Sequence, residues 1–298
     1  MSPQDFINLY LIPGLVLGSI YALGAIGVSM LFGILRFAHF AHGDVATLGA
    51  FLALVVVQTL GLTALQSLPL AMLGAAIAAI VIDRLFYKPF RNAPSIMLVM
   101  ASFGVALMLR SLIQLGWGTS QVSYARGIQR PLVFFDWLRI AERHIHIIVA
   151  TALIVVALHL FLSRTKLGKA MRAMADEPAL ARASGIDTEN VIRWTWAIGA
   201  ALAAAAGVFV GVDVHVQANI GWDLMLPVFA AAILGGIGRP YGAIAGGLVI
   251  GLMEELSAAP WFGDTPLLSP GYKAGVAFAV MVLMLLVRPT GLFRGKVY

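Results

Sequence analysis

The chain has 298 residues, 60% hydrophobic and 11% charged, with a net charge of +6 and no cysteine, and its mean hydropathy is +0.92. A soluble globular domain carries about a quarter of charged residues, so that class is excluded, and so are disulfides, Fe–S clusters and cysteine-based zinc sites. The cations stand between apolar segments, where they set membrane topology, so the basic balance implies no nucleic-acid partner.

Apolar stretches of about 20 residues, the length of a membrane-spanning helix, recur along the chain. In lipid only helices and closed barrels satisfy their own backbone hydrogen bonds, and the alternating period of a barrel is missing. The predicted class is therefore an all-α polytopic membrane protein of about eight or nine spans, some broken or re-entrant. No linker divides residues 1–298, which read as one membrane domain. Spans are predicted at 8–31, 45–60, 66–85, 95–115, 145–162, 192–212, 223–238, 240–256 and 272–288, the seventh short enough to be re-entrant. The first segment lacks the basic region of a cleavable signal and is long enough to remain as a span.

Arg36, then Arg84, Lys88 and Arg91, the cations of 163–193, Arg239, and then Arg288, Arg294 and Lys296 fall on one side of these spans. The positive-inside rule makes that side cytoplasmic, with the N-terminus outside and the C-terminus inside. Arg110, Arg126, Arg130, Arg139, Arg143 and Lys273 fall on the other. Glycines at four-residue spacing, Gly14 and Gly18, Gly207 and Gly211, Gly242 and Gly246, Gly247 and Gly251, predict close helix packing within the subunit.

Between the first two spans lie Arg36, His39, His42, Gly43 and Asp44. Ionisable residues inside a membrane face a cavity, a partner or an interface, because exposure to lipid is costly. The spacing of His39 and His42 would place both on one helix face, yet no further His or Glu cluster completes a metal shell, and no metal is predicted. The segment reads as a broken helix, with Gly43 permitting the break and Asp44 as N-cap of the next span. Broken helices in transporters point free backbone groups at the substrate path.

The stretch 163–193 is a polar island of good helix formers, carrying Arg172, Arg182, Asp176 and Glu177 among others. It has the length for one or two short helices and is what a membrane subunit offers a cytoplasmic partner. Lys169 follows Gly168, but Ala170 occupies the position where a phosphate-binding loop requires Ser or Thr, so the chain has no ATPase motif and no catalytic residues are predicted. Further on, Gly235, Gly236, Gly238 and Gly242 surround Pro240, which predicts a helix ending near Gly236 and another beginning near Pro240. Glu254 and Glu255, at the far end of the eighth span, are expected to reach outer water. From the residues alone a second class stays open, a secondary transporter or channel without ATPases in which Asp44, His39 and His42 relay protons or hold a coupling ion.

The runs GSIYALGAIGVSMLFGILRFAHFAHGDVATLGAF, TKLGKAMRAMADEPALARASGI and GGIGRPYGAIAGGLVIGLMEE, in that order and with the rest covering nearly the whole chain, resemble the LivH-like permeases of branched-chain amino-acid ABC importers. The resemblance implies a bacterial inner-membrane subunit that binds no cofactor itself. Its partners would be a second related permease, two cytoplasmic ATPases holding ATP and Mg, and a periplasmic binding protein. It implies a coupling helix docked in an ATPase groove, formed here by Gly168, Arg172, Ala173, Ala175, Asp176, Ala181, Gly185 and Ile186. Ala179, Leu180 and Ala181 replace the Glu-Ala-Ala of maltose-type importer loops, a departure similar to that of the branched-chain family. The substrate path would run at the interface with the second permease, gated by His39, His42, Gly43 and Asp44 and by Gly235, Gly236, Gly238, Pro240 and Gly242. Related systems carry other amino acids, amides, urea or small carboxylates, and those substrates stay open.

Overall fold

The computed structural model describes residues 2–124, 131–134, 136–261, 268–288 and 290–293. Arg126, Arg130, Arg294 and Lys296, used above for topology, lie outside the described residues. Ser2 caps α1 (Pro3–Phe6) by accepting from the Asp5 N–H, and a single π turn, Ile7–Leu11, carries the helix into α2 (Ile12–Leu35). Together they make one helical run of 33 residues, longer at both ends than the predicted span. α2 stops where Arg36 adopts a left-handed conformation, φ 58°. After an extended segment come α3 (His42–Leu60), closed by left-handed Gly61, and α4 (Ala64–Ile82), opened by a reciprocal cap between Thr63 and Gln66.

α4 tightens into the turns Asp83–Tyr87 and Lys88–Phe90 and is followed by α5 (Ser95–Trp117). A two-stranded hairpin, β1 (Leu132–Phe134) antiparallel to β2 (Leu138–Ile140), leads to α6 (Glu142–Arg164). The polar island folds as two short helices, α7 (Lys166–Asp176) and α8 (Pro178–Ala183). Then come α9 (Thr188–Asp213), α10 (Ile220–Gly235), α11 (Pro240–Ser257) and α12 (Lys273–Val287).

Every predicted span is thus a helix, and six helices, counting α1 with α2 as one and α4 with its two turns as another, are long and apolar enough to cross a membrane among the described residues. α10 and α12 are shorter apolar helices. Burial separates the centre from the shell. The most apolar stretch of the α1–α2 run is 83% buried and that of α9 is 78% buried, whereas that of α6 is only 17% buried. α2 and α9 therefore form the core with α3, α10 and α11, while much of α4, α5, α6 and α12 faces outward.

The core closes through glycine. α2 runs against α11, where a Cβ on Gly251 would strike the Gly18 backbone and one on Gly247 would strike Ala22, so the two backbones touch. α3 crosses α9 the same way, with Gly49 against Ala204 and Gly207 against the Ala46 carbonyl. Without a hydrophobic drive between helices in lipid, such close packing is what holds a bundle together. The four-residue glycine spacing did predict close packing within the subunit. Lys88, Arg91 and Arg36 gather beside Arg182 at the end that carries α7 and α8, and the pairs of Arg143 with Asp213 and Lys273 with Glu255 lie at the opposite end.

Gly251→Leu is expected to destabilise the protein by about 1–3 kcal/mol or more, because the added side chain meets backbone that cannot yield. Gly104→Leu, at a glycine with open space around its would-be Cβ, should leave stability unchanged. Thermal unfolding of the two variants in mild detergent checks the contrast; equal midpoints would show that the α2–α11 contact is not tight.

Candidate functional site

The chain between α2 and α3 does not stay at the membrane surface. Phe37, His39 and Tyr87 pack around Trp196, the Tyr87 and Trp196 rings stacking at 4.8 Å. Trp196 lies about 12 Å into α9 at 1.5 Å per residue. Residues 36–41 therefore climb into the bundle, and α3 begins inside it. On the other side Val216 exchanges backbone hydrogen bonds with Val122, at 2.9 and 2.7 Å, so residues 214–219 turn back inward from the end of α9. α10 then begins beside the start of α3: Gly43 and Gly221 touch through their backbones, and the Gly221 N–H donates to Thr47 Oγ1 at 2.9 Å.

Two re-entrant segments, entering from opposite ends, thus deliver two helix starts to one point. The depth follows from Ala46, which packs on Gly207, about 28 Å from the start of α9 and about 9 Å from its end.

Asp44 sits at this point, 2% exposed. It accepts from Arg110 Nε at 3.0 Å and Arg110 Nη2 at 3.2 Å, a two-toothed ion pair joining α3 to α5. The guanidinium also lies 5.1 Å from the centre of the Trp222 ring on α10. These contacts correct two expectations. Ala41, not Asp44, holds the N-cap position, and Asp44 is a residue of the first helical turn whose carboxylate is taken by Arg110. Gly43 does not make the break, which falls at left-handed Arg36 and the residues after it; Gly43 is small so that α10 can approach.

His39 and His42 are both buried. One hydrogen-bonds the Tyr87 hydroxyl at 2.9 Å and the other the Gly24 carbonyl at 3.2 Å. No group of three residues able to hold a metal occurs among the described residues.

The second break has the predicted form. α10 ends at Gly235, Gly236 and Gly238 take φ values of 104° and 81°, and Pro240 occupies the first turn of α11. A Cβ on Gly235 or Gly242 would collide with the other's backbone, so the two helices meet tightly. Gly238 in turn packs on Gly33 of α2, which places this break beside the end of α2.

Both breaks are reached by the polar loop. Thr165 caps α7 by accepting from the Gly168 N–H at 2.9 Å, and Gly168 lies against the end of α6, where a Cβ would not fit. α7 buries Gly168, Met171 and Met174, leaves Ala175 half-buried, and exposes Arg172, Ala173 and Asp176. α8 ends in a Schellman turn: left-handed Gly185 donates to the Arg182 carbonyl and Ile186 to the Ala181 carbonyl. Gly185 is exposed and Ile186 half-buried, but Ala181 is 4% exposed and faces inward. α7 and the second break share a cavity of about 200 Å³ between Ala175, Gly33 and Gly238. Met174 and Pro178 share another, of about 460 Å³, with Arg36 and Phe37 of the first break.

Sequence reasoning missed several polar contacts. Arg110, within the predicted span 95–115, was counted only as a cation of the outer side, although it is the only charge in α5 and Asp44 the only carboxylate in α3, a signal that they pair. Arg91 bridges Asp83 and Glu189, both at 2.5 Å, and ties the end of α4 to the start of α9. Glu254 does not reach water: it is 2% exposed and accepts from the Tyr21 hydroxyl at 2.7 Å. Glu255 pairs with Lys273 at 2.7 Å and keeps its side chain 15% exposed, so the expectation of outer water is overturned for Glu254.

Residues 10–285 match the model of a family described as branched-chain amino acid transport system permease component. The chain is 36% identical over 295 residues to the high-affinity branched-chain amino acid transport system permease protein BraD of Pseudomonas aeruginosa, covering 95% of this chain and 94% of that one. It is 34% identical over 298 residues to the corresponding LivH of Escherichia coli K12, covering 94% and 92%. The fold is shared with a solved inward-facing candidate metal-chelate type ABC transporter at a TM-score of 0.53 and 14% identity, over 95% of this chain and 89% of that one.

Arg110→Ala is expected to destabilise the protein by about 3 kcal/mol, since it strands Asp44 away from water, and Asp44→Ala by about 1–3 kcal/mol, since Arg110 loses its partner but stays partly exposed. The joint variant Asp44→Ala with Arg110→Ala should cost clearly less than the sum of the two single losses. A double-mutant cycle on unfolding midpoints measures the coupling; simple additivity would mean that the pair does not interact.

Proposed function

Because the chain belongs to the family of permease components of branched-chain amino acid transport systems, we propose that it is the membrane-spanning subunit of an ATP-driven, binding-protein-dependent importer of aliphatic amino acids. It is a multi-pass membrane protein and a transport subunit, and ABC permeases of this kind work with ATPase and binding-protein partners. In this reading it lies in a bacterial inner membrane with its N-terminus outside and α7 and α8 in the cytoplasm. It pairs with a second, homologous permease, and the two rest on two ATPases that hold ATP and Mg.

The observation that carries the reading is the placement of α7 and α8. A helix with one face anchored by Met171 and Met174, and the other bearing exposed Arg172, Ala173 and Asp176, is shaped for docking. Leu180, 64% exposed on α8, adds an apolar contact that water does not favour. Movement of the ATPases would shift α7 and α8, and their inner faces bear on Gly33 and Gly238 and on Phe37 through the two cavities. ATP binding is thereby passed to both helix breaks, which gate the path between outward-facing and inward-facing states. The alternative of a proton- or ion-coupled carrier is disfavoured by the same geometry. Asp44 is already held by an arginine, and His39 and His42 are enclosed by protein rather than open to a path.

Ala181, buried against the bundle, is a poor probe of docking; Ala173 and Leu180 are the exposed positions to change. Ala173→Trp with Leu180→Glu should abolish ATP-dependent leucine uptake and release the ATPases during purification, while the subunit still inserts and keeps its unfolding midpoint. Unchanged uptake in proteoliposomes would overturn the coupling assignment.

A further inference from the structure

The geometry points to a groove between α5 and α10 as the half of the translocation path that this subunit supplies, with Arg110, Trp222 and Asp223 recognising the charged end of an amino acid; this rests on the function proposed above. The two helices make little direct contact with one another. Phe40, from the re-entrant segment, fills the floor between them. Its ring stacks on Phe103 of α5 at 4.2 Å and lies 5.2 Å from Phe229 of α10. Its backbone N–H is held by Ser102 Oγ at 3.2 Å, which fixes the floor to one wall. About two helical turns beyond Phe103 and Phe229 stand Arg110 and Trp222, the guanidinium 5.1 Å from the ring centre.

The sequence placed the path at the interface with a second permease and named His39 to Asp44 and Gly235 to Gly242 as its gates; those residues are themselves mostly enclosed. Asp44 is 2% exposed, and Gly235 and Gly242 touch each other. The groove, by contrast, is open in the isolated subunit: Trp222 is 47% exposed, Leu226 40% and Phe103 39%, and Asp223 is exposed as well.

Exposure here cannot mean lipid. Asp223 follows Gly221 by two residues, at the depth fixed by Gly43, and a carboxylate in hydrocarbon costs about 2.5–3.5 kcal/mol on insertion scales. Arg110 shows the same pattern, its side chain staying 18% exposed after binding Asp44. A face that is aromatic along its length and charged at one level is suited to water and a second protein wall, not to acyl chains.

The chemistry matches a zwitterion with an aliphatic tail. The Arg110 guanidinium attracts the carboxylate, and Asp223 supplies a negative charge for the ammonium group. Trp222, Leu226, Phe229 and Phe103 offer apolar surface over which the side chain slides. Because Asp44 already neutralises most of Arg110, the carboxylate is held weakly, as passage requires.

The chain contains no cysteine, so single cysteines report directly. Trp222→Cys, Leu226→Cys and, as a lipid-facing control, Leu153→Cys in the middle of α6, 65% exposed, would each be assembled into the complete importer in proteoliposomes. They would be exposed to a small cationic, membrane-impermeant methanethiosulfonate, and the mass shift of this subunit followed with and without leucine, binding protein and ATP. Trp222→Cys and Leu226→Cys should label roughly tenfold faster than the control, the contrast expected between water-facing and lipid-facing positions. Their labelling should slow several-fold during leucine transport.

Labelling of both at the control rate would overturn the groove. Fast labelling that leucine does not slow, in vesicles where the unmutated importer takes up leucine, would overturn the recognition site. If the unmutated importer takes up no aliphatic amino acid in the parallel assay, the functional reading fails first and the assignment of the groove falls with it. Asp223→Asn gives the check on charge: it should raise the KM for leucine several-fold with kcat little changed. An unaltered KM would remove Asp223 from the site.

Discussion

The arrangement depends on a backbone contact, Gly43 against Gly221, that lets two helices begin inside the membrane. Hydrocarbon offers no hydrogen bonds to a non-helical chain, so a helix can start at depth only where protein supplies them. Here Thr47 takes the Gly221 N–H, Ser102 takes the Phe40 N–H, and Val122 pairs with Val216. The side chains reach because the glycines leave no gap between α3 and α10. Any Cβ at either position would strike carbonyl oxygen, so the contact tolerates no larger residue without moving a helix.

From that contact the polar chemistry follows. With α3 starting at depth, Asp44 is carried into the bundle, and its charge must be met there. Arg110 meets it from α5, forming two hydrogen bonds with one carboxylate, and lies against Trp222 of α10. The pair fixes α3 to α5 while leaving α5 and α10 apart, with Phe40 between them. At the other end, α7 and α8 lean on the ends of both interruptions through two small cavities. The loop, the breaks and the groove are therefore one mechanically connected set, and a displacement of α7 has packed atoms to push on at each step.

Much of this was legible in the chain. The spans, the two short helices of the polar island and the second break at Gly236 to Pro240 each rest on a local rule of hydropathy, capping or backbone freedom. The errors have a common origin. Asp44 was read as a cap because Asp is a good cap and stood near a glycine; its real partner lies 66 residues away. Glu254 was sent to water because charged residues near span ends usually go there; its Tyr21 partner is 233 residues away. Gly43 was read as a hinge because a glycine inside an apolar run signals either flexibility or close approach, and only the neighbour decides which.

The sequence by itself determined that the chain is a bundle of membrane helices, where it is interrupted, which end gathers its cations, and which family it belongs to. These follow from composition, from period and from order along the chain, all of them local. The tertiary structure alone decided which interruptions meet, which charges cancel and which aromatic residues stay uncovered. Those outcomes depend on contacts between helices far apart in sequence, and in lipid such contacts are chosen by shape and hydrogen bonding, because apolar side chains on every face look alike to the hydrocarbon around them.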